Sequence, residues 1–284
     1  MDCIDLHVHS TASDGTVSPS QTVRLAKAAA LKAMALTDHD TVAGIEEALE
    51  AGSRLEVRVI PGIEVSSLYE GREIHILGLF VNHHAPALLD SLEAFRQVRR
   101  QRNAIILSNL EAAGIHLTPE AITGKNPDTV ITRAHLARAL TSLGYASSMN
   151  SAFKRYLEPG GPFCPPKKAP SPEEVVSILL ANGAFVSLAH PCLYKLGDQE
   201  ICRLAARLSD LGMEGLEVYH SSHNPCQTRK LQALAQDLGL FPTGGSDFHG
   251  SNKPDISMGT GRGGLCVPLA LLERIDAHRA SLPA

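Results

Sequence analysis

The 284-residue sequence has no tryptophan, only 4% aromatic residues and no strong excess of either charge. Its 26 Lys and Arg residues against 30 Asp and Glu residues give a formal net charge of −4, which argues against broad electrostatic binding to duplex DNA. No run of about 18 apolar residues is present, so no membrane-spanning helix is predicted. The first residues, Met1 to Asp5, lack the basic and apolar regions of a secretory signal peptide. We therefore expect neither duplex DNA nor a membrane as a partner, and no obligate protein partner is evident.

The cysteines are few and scattered, without a C-x-x-C motif. This pattern is typical of reduced thiols in a cytoplasmic protein and not of a disulfide framework or a zinc knuckle. The six positions are Cys3, Cys164, Cys192, Cys202, Cys226 and Cys266.

Short apolar runs alternate with amphipathic helical stretches, the pattern of βα units around a parallel sheet. Proline follows Ser18, Ser171 and Asn224, which predicts a capped helix start at each position. From about Ala85 to Tyr156 only helical patterns occur, which predicts a helical insertion between two strands of one sheet. The predicted strands are Ile4–His9, Ala33–Thr37, Val57–Glu64, Glu73–Phe80, Ala184–His190, Leu216–His220 and Phe241–Gly245. The helices predicted within the insertion are Ala85–Ala113, Ile131–Leu143 and Ser147–Tyr156.

Histidine and carboxylate residues recur as the chain leaves predicted strands. His7 and His9 share one face of the first strand because a strand has a period of two, although a single H-x-H could equally be a polar face turned to water. The ends of parallel strands gather on one rim, where active sites are built. Because a buried cluster of unpaired imidazoles and carboxylates is costly, the repetition favours metal coordination. The other positions in this pattern are His39, Glu64, His75, His190, Asp247 and His249.

A set of motifs in the sequence resembles those of the PHP (polymerase and histidinol phosphatase) family. The motifs are Asp5-Leu6-His7-Val8-His9 with Asp14-Gly15, Thr37-Asp38-His39-Asp40, Pro61-Gly62-Ile63-Glu64, Glu73-Ile74-His75, Ala189-His190-Pro191 and Ser246-Asp247-Phe248-His249. The resemblance implies an α/β fold, a distorted (β/α)7 barrel with a helical insertion domain. It also implies a metal-dependent phosphoesterase with two or three divalent ions at the C-terminal rim. The barrel would comprise residues 1–84 and 168–284, and the insertion residues 85–167.

The resemblance also implies three sets of metal ligands. His7, His9, Glu64 and Asp247 would form the first, Glu64, His75 and His190 the second, and Asp14, His39 and His249 the third. Glu64 can bridge two ions because a carboxylate has two oxygens. Nitrogen and oxygen ligands without thiolate suit manganese, zinc or iron better than calcium or magnesium. Manganese is the expected ion, with zinc or iron as alternatives. Asp38 and Asp40 are expected to orient His39 or to cap a helix beginning near Thr41, with direct ligation as the alternative.

Substrate contacts are implied by a closer resemblance to the subgroup that includes 3′,5′-nucleoside bisphosphate phosphatases and ribonuclease AM. The matching segments are Thr132-Arg133-Ala134-His135 and Glu217 to His223. They make Arg133 and His223 the expected phosphate contacts, supported by Lys167 or Lys168. Alternatively, Arg133 forms a surface ion pair, the lysines are a solvated connector and His135 is structural. The basic run Arg96, Arg99, Arg100 and Arg102 is expected to be a solvated helix face, although an oligonucleotide tail could rest there.

These observations predict an enzyme that removes the 3′-phosphate from nucleoside 3′,5′-bisphosphates, with a hydroxide bridging the metal ions as the nucleophile. One alternative is a 5′-to-3′ exonuclease on short 5′-phosphorylated RNA, and another is a histidinol-phosphate phosphatase. A non-hydrolytic metal-binding module is disfavoured because all nine ligand positions are filled. An amidohydrolase is disfavoured because no lysine-type bridging ligand follows the H-x-H.

Overall fold

The structure, a computed structural model, describes residues 2–123 and 130–282. Its strands form one eight-stranded sheet in the order β7-β6-β5-β4-β3-β2-β1-β8. The strands are β1 Cys3–Val8, β2 Ala33–Leu36, β3 Arg58–Tyr69, β4 Arg72–Leu79, β5 Phe185–Leu188, β6 Gly215–His220, β7 Phe241–Gly245 and β8 Val267–Pro268. All seven predicted strands are present, and β8 was not predicted.

The sheet curves into a nearly closed barrel, because the end of β1 pairs with the segment that follows β7. Val8 forms a parallel bridge with Phe248, and the amide of Asp247 donates to the carbonyl of His7 at 2.9 Å. The predicted α/β barrel is thus confirmed.

Strand β4 departs from the predicted parallel pattern, since it runs antiparallel to both β3 and β5. A two-residue turn with positive φ, at Glu70 and Gly71, joins β3 to β4 as a hairpin. The start of β4 therefore lies beside the end of β5, where the amide of Ala189 donates to the carbonyl of His75 at 3.1 Å. This direction brings a side chain near the start of β4 to the rim formed by the ends of the parallel strands.

Helices cover the sheet, and the three predicted caps are confirmed. The side chains of Ser18, Ser171 and Asn224 each accept hydrogen bonds from backbone amides in the first turn of their helices. Helices α4, α8 and α10 were not predicted. The helices are α1 Pro19–Ala28, α2 Ile45–Leu55, α3 Pro86–Ala112, α4 Pro119–Thr123, α5 Arg133–Ser142, α6 Met149–Tyr156, α7 Pro172–Ala181, α8 Asp198–Asp210, α9 Pro225–Asp237 and α10 Leu269–Ser281.

Helices α3 to α6 separate β4 from β5 along the chain, although these strands are neighbours in the sheet. Their buried side chains form a cluster of their own, which runs from Ile106 to Cys164. The first half of α3 packs elsewhere, since Leu88 and Leu92 belong to the main core with β3, β4 and α7. Helix α3 thus connects both cores, and the domain division at residues 85 and 167 stays a prediction.

The expectation of six reduced thiols is wrong for two of them, because Cys3 and Cys266 form a disulfide. Antiparallel pairing of β1 with β8 brings these residues together, with Cys3 opposite Pro268. The four remaining cysteines are free thiols. Within the described residues, no helix is long and apolar enough to cross a bilayer.

The closure of the barrel requires a glycine at position 245. A Cβ atom there would lie 2.4 Å from both the Cβ and the backbone nitrogen of His7, with no flexible side-chain end to move aside. We expect Gly245→Ala to lower the free energy of unfolding by about 2 kcal/mol, measured by urea denaturation without added metal. Gly264→Ala is the matched control, since a Cβ there meets nothing within 4 Å. Equal stability of the two variants would contradict this account of closure.

Candidate metal centre

The side chain of Glu64 lies at the centre of a cluster of five imidazoles. Its Oε2 atom lies 3.3 Å from His7 Nε2, 3.1 Å from His9 Nε2 and 3.1 Å from His39 Nδ1. Its Oε1 atom lies 2.9 Å from His75 Nδ1 and 2.8 Å from His190 Nε2. One carboxylate therefore contacts histidines from all three predicted ligand sets.

The remaining predicted ligands complete the cluster on two sides. Asp247 Oδ1 lies 3.8 Å from His7 Nε2 and 3.6 Å from His9 Nε2. Asp14 Oδ1 lies 3.1 Å from His249 Nε2. The nine predicted ligands fall into four overlapping groups. Within each group, the donor atoms all lie within 4.8 Å of one another. These groups are His9, Asp14, His39 and His249; His7, Glu64 and His190; His7, His9 and Asp247; and His39, Glu64 and His75.

The donor atoms fit divalent cations. Several buried atoms of the cluster have no hydrogen-bond partner among the residues that the structure describes, which is costly unless an ion or water satisfies them. Two ligands bound to one ion at about 2.1 Å lie roughly 3–3.5 Å apart, close to the separations around Glu64. The buried atoms without a partner include His7 Nε2, both ring nitrogens of His9, Asp14 Oδ1, His39 Nδ1, Glu64 Oε2 and His190 Nδ1.

Burial and mutual charge set the protonation states of this cluster. Burial lowers the pKa of His190 to about 4, so its imidazole is neutral at pH 7. Burial also lowers the pKa of His9, and the neighbouring His249 and His39 lower it further. Burial alone would raise the pKa of Glu64, but the surrounding imidazoles hold it well below its usual range. Burial would lower the pKa of His75 too, but the carboxylates of Glu64 and Glu73 raise it to about 9. Because cations bind neutral imidazoles and ionised carboxylates, an ion bound at His75 would displace a proton from that ring.

Backbone pairing beyond β2 places His39 beside Glu64. The amide of Asp40 donates to the carbonyl of Glu64 at 2.9 Å, and the amide of Glu64 donates to the carbonyl of Asp38 at 3.2 Å. These bonds extend the β2–β3 ladder past Leu36 and hold the three-residue loop against the middle of β3. His39 thus reaches the cluster from the loop and not from a strand.

The capping role expected of Asp38 and Asp40 is wrong, whereas their role in orienting His39 stays a prediction. Asp38 accepts hydrogen bonds from the amide of Ser10 at 2.8 Å and the hydroxyl of Ser13 at 2.6 Å, so it fixes the turn that leads to Asp14. Asp40 accepts from the amide of Ser66 at 2.8 Å and forms an ion pair with Arg99. Neither carboxylate caps a helix near Thr41, because α2 begins at Ile45 after Gly44.

Three residues of the site were missed as candidates. Glu217 accepts from the backbone amide of His190 at 2.6 Å and lies 2.9 Å from His7 Nδ1, so it holds two predicted ligands. His220 Nε2 and Lys253 Nζ contact Asp247 Oδ2 at 3.3 and 2.5 Å. The ladder between β6 and β7 shifts register between Glu217 and Tyr219, so residues three apart both face the site. With simple alternation along β6, Glu217 and His220 would lie on opposite faces of the sheet.

Arg133 and Lys167 lie beside the cluster and share one carboxylate. Arg133 Nη2 lies 2.7 Å from Glu73 Oε2, and Lys167 Nζ lies 2.5 Å from Glu73 Oε1. Glu73 Oε1 also lies 3.3 Å from His75 Nε2, which ties the cations to a predicted ligand. Burial lowers the pKa of Lys167 to about 8. These residues line a pocket of about 150 Å³ together with Asp14 and His39.

His135 and His223 do not reach that pocket. The backbone amide of Thr132 donates to His135 Nδ1 at 3.1 Å, so this buried ring caps the start of α5, the structural alternative for this residue. His223 Nδ1 lies 3.0 Å from the carbonyl of Val218, and the ring lines a different cleft with Arg229 and Arg262. The structure therefore places His223 and Arg133 in different pockets, and the role of His223 as a phosphate contact stays a prediction.

The expected solvated face of the basic run is wrong for three of its four arginines. Only 22% of the Arg96 side chain is exposed, and its Nη1 donates to the carbonyl of Asp40 at 3.1 Å. Arg99 and Arg102 have only 15% and 8% of their surface exposed, whereas 53% of the Arg100 side chain is exposed. The spacing explains the difference, because positions 99 and 102 follow the same helix face as the buried Ile106. Lys168, unlike Lys167, is exposed.

The site and the fold agree with comparisons to known proteins. The family model for the PHP domain matches residues 5–158. A 5′-3′ exoribonuclease of Haemophilus influenzae is 37% identical over 248 residues, which cover 86% of this chain and 89% of that protein. A 3′,5′-nucleoside bisphosphate phosphatase of Chromobacterium violaceum is 34% identical over 258 residues, 90% of each chain.

A solved structure shows the same architecture. A Bifidobacterium adolescentis protein, to which metal-dependent phosphoesterase activity has been ascribed, superposes with a TM-score of 0.86 at 27% identity. The match covers 97% of this chain and 96% of that one. The predicted resemblance is therefore confirmed, and the chain belongs to the PHP domain family.

Proposed function

We propose that this chain is a metal-dependent phosphoesterase that removes the 3′-phosphate from nucleoside 3′,5′-bisphosphates and releases the 5′-monophosphate. The observation that carries the proposal is the buried, Glu64-centred ligand cluster with the Arg133–Lys167 pair directly beside it. A cation cluster next to fixed basic side chains suits a phosphate ester, whose charge grows in the transition state. The Chromobacterium violaceum relative is named a 3′,5′-nucleoside bisphosphate phosphatase, which supports this substrate class.

The nine clustered side chains would hold two or three ions in the predicted sets. Their nitrogen and oxygen donors suit manganese, zinc or iron, and we propose manganese as the ion, with zinc or iron as alternatives. Bound divalent ions would supply Lewis acidity and an activated water. Glu217 would fix the orientation of the His7 ring, and Asp38 would hold the turn that carries Asp14.

Arg133 and Lys167 would bind the phosphoryl oxygens. Glu73 keeps both cations in place before a substrate arrives, since it contacts each of them. A guanidinium offers paired donors to a phosphate, and the lysine adds a point charge. Both residues lie between α3 and α7, so the predicted insertion would contribute to substrate binding.

A second candidate is 5′-to-3′ cleavage of short 5′-phosphorylated RNA. It is favoured by the Haemophilus influenzae relative and by an open cleft beside the pocket that Arg133 and Lys167 line.

The cytoplasmic location stays a prediction. The Cys3–Cys266 disulfide removes part of its support, because the cytosol keeps most thiols reduced.

A substrate panel tests the proposal. Protein loaded with Mn²⁺ would be incubated with adenosine 3′,5′-bisphosphate, a 5′-phosphorylated oligoribonucleotide, a cyclic phosphodiester and histidinol phosphate. We expect inorganic phosphate and adenosine 5′-monophosphate from the first substrate at the highest kcat/KM. Stepwise release of mononucleotides with a higher kcat/KM from the oligonucleotide would favour the second candidate. No turnover of either nucleotide substrate would refute both.

A further inference from the structure

A cleft of about 360 Å³ lies between α3 and the segment before α7. It opens beside the pocket of about 150 Å³ that Arg133 and Lys167 line. We call it the α3 cleft, and it is lined by Phe95, Val98, Arg99, Arg102, Lys167 and Lys168 among others. It shares Arg99, Arg102, Lys167 and Ser66 with the pocket in front of the metal centre. The two spaces thus lie on either side of the same basic side chains, and one ligand could extend from one into the other.

Arg102 is the unusual residue in this cleft. Only 8% of its surface is exposed, so its charge is largely withdrawn from water. Its Nε donates to the carbonyl of Pro165 at 3.3 Å and its Nη2 donates to the Cys164 sulfur at 3.1 Å, and neither acceptor carries a charge. Across the described ranges 2–123 and 130–282, no carboxylate forms an ion pair with it. A buried cation without an anion is costly, so an anionic ligand is the natural partner.

The neighbouring cations are already paired. Arg99 contacts Asp40, while Lys167 and Arg133 share Glu73. Glu174 also lines the cleft, but it is exposed and makes no ion pair with Arg102 in the described part of the chain. The unbalanced positive charge of the cleft therefore resides on Arg102 and on the exposed Lys168.

We infer that Arg102 binds a second phosphate of the substrate, the 5′-phosphate that lies one nucleoside away from the phosphorus that is cleaved. This inference rests on the proposed function of the metal centre. The apolar side chains of Phe95 and Val98, on the same helix, would line the path of the nucleoside. A nucleoside 3′,5′-bisphosphate and a 5′-phosphorylated RNA both carry this group at the same distance from the scissile bond. Arg102 is thus assigned as a residue that determines specificity for 5′-phosphorylated nucleotides.

The test compares substrates that differ only in the second phosphate. For the wild-type protein and for Arg102→Met, kcat/KM would be measured with adenosine 3′,5′-bisphosphate and with adenosine 3′-monophosphate. The wild type is expected to prefer the bisphosphate, and Arg102→Met should reduce the ratio of the two values by about 30-fold, the usual worth of a charge-assisted hydrogen bond. Arg102→Lys should restore part of the ratio. The pair 5′-pApA and ApA gives the same comparison for RNA, so the two arms identify which substrate uses the subsite.

Arg100→Met is the matched control, because Arg100 lies on the same helix, is exposed and pairs with Glu93. It should leave the substrate ratio unchanged. An equal loss on both substrates by Arg102→Met, with an unchanged melting temperature, would overturn the inference, as would an unchanged ratio.

Calorimetric titration with adenosine 5′-monophosphate separates this inference from the proposed function. We expect Arg102→Met to weaken its binding by about 30-fold relative to wild type, whether or not any nucleotide is hydrolysed. A wild-type protein that binds the monophosphate no better than adenosine would overturn the subsite. Binding without turnover would instead sink the proposed reaction and leave the subsite standing.

Discussion

Replacing Glu64 with glutamine is expected to abolish measurable phosphatase activity, a loss of at least about 1000-fold in kcat. The carboxylate is buried and contacts ring nitrogens from all three predicted ligand sets. A neutral amide has the same shape but removes the negative charge that offsets the cations, and its NH₂ group would point a donor at metal ions. Elemental analysis after dialysis should show at least one metal equivalent fewer than in wild type.

Glu50→Gln provides the comparison, since Glu50 is exposed and its ion-pair partner among the described residues is Arg54 in the same helix. That variant should keep wild-type metal content and activity. Full metal content in Glu64→Gln, together with activity above one tenth of wild type, would show that Glu64 is not a shared ligand.

Glu217→Gln should weaken metal binding by about 100-fold, with a matching loss of activity at limiting Mn²⁺. Glu217 lies against His7 Nδ1 and accepts from the amide of His190, so it orients one predicted ligand and the backbone of another. Glutamine retains one oxygen that accepts from the amide of His190. It lacks the negative charge that attracts a proton on Nδ1 of His7 and so holds the ring in place. Titration of metal-free protein with Mn²⁺, followed by activity, measures the effect.

Excess Mn²⁺ should restore most of the Glu217→Gln activity, because the residue acts on the ligands and does not touch the substrate. This recovery distinguishes it from Glu64→Gln, which no metal concentration should restore. Equal metal affinity of Glu217→Gln and wild type would show that the His7–Glu217 contact serves stability alone.

The structure brings the nine candidate ligands together, and several of them follow simple local rules in the sequence. Their role as metal ligands stays a prediction. His7 and His9 share a strand face, and His190 and Asp247 come directly after strands that end on one rim. His75 seemed out of place near the start of its strand, and the β3–β4 hairpin supplies the reason. The predicted strands ended at Glu64 and began again at Glu73, which hid the two-residue turn between them.

The missed features depend on contacts between distant segments or on departures from regular periodicity. Glu217 and His220 face the site together only because β6 shifts register against β7. The Cys3–Cys266 bond depends on pairing of β1 with β8, a strand of two residues that no local pattern marks. Arg102 belonged to a charged run, and its burial becomes visible only when its spacing from Ile106 is followed around the helix.

The bond between Cys3 and Cys266 makes most of the polypeptide a covalent loop, since 263 positions separate its two ends. A protease that cuts once anywhere inside this loop leaves both fragments attached to each other. The nicked molecule would therefore keep its mass under non-reducing electrophoresis and fall apart only when a reductant is added. Both halves of the rim, including His7 near one end and Asp247 near the other, would stay tethered through such damage.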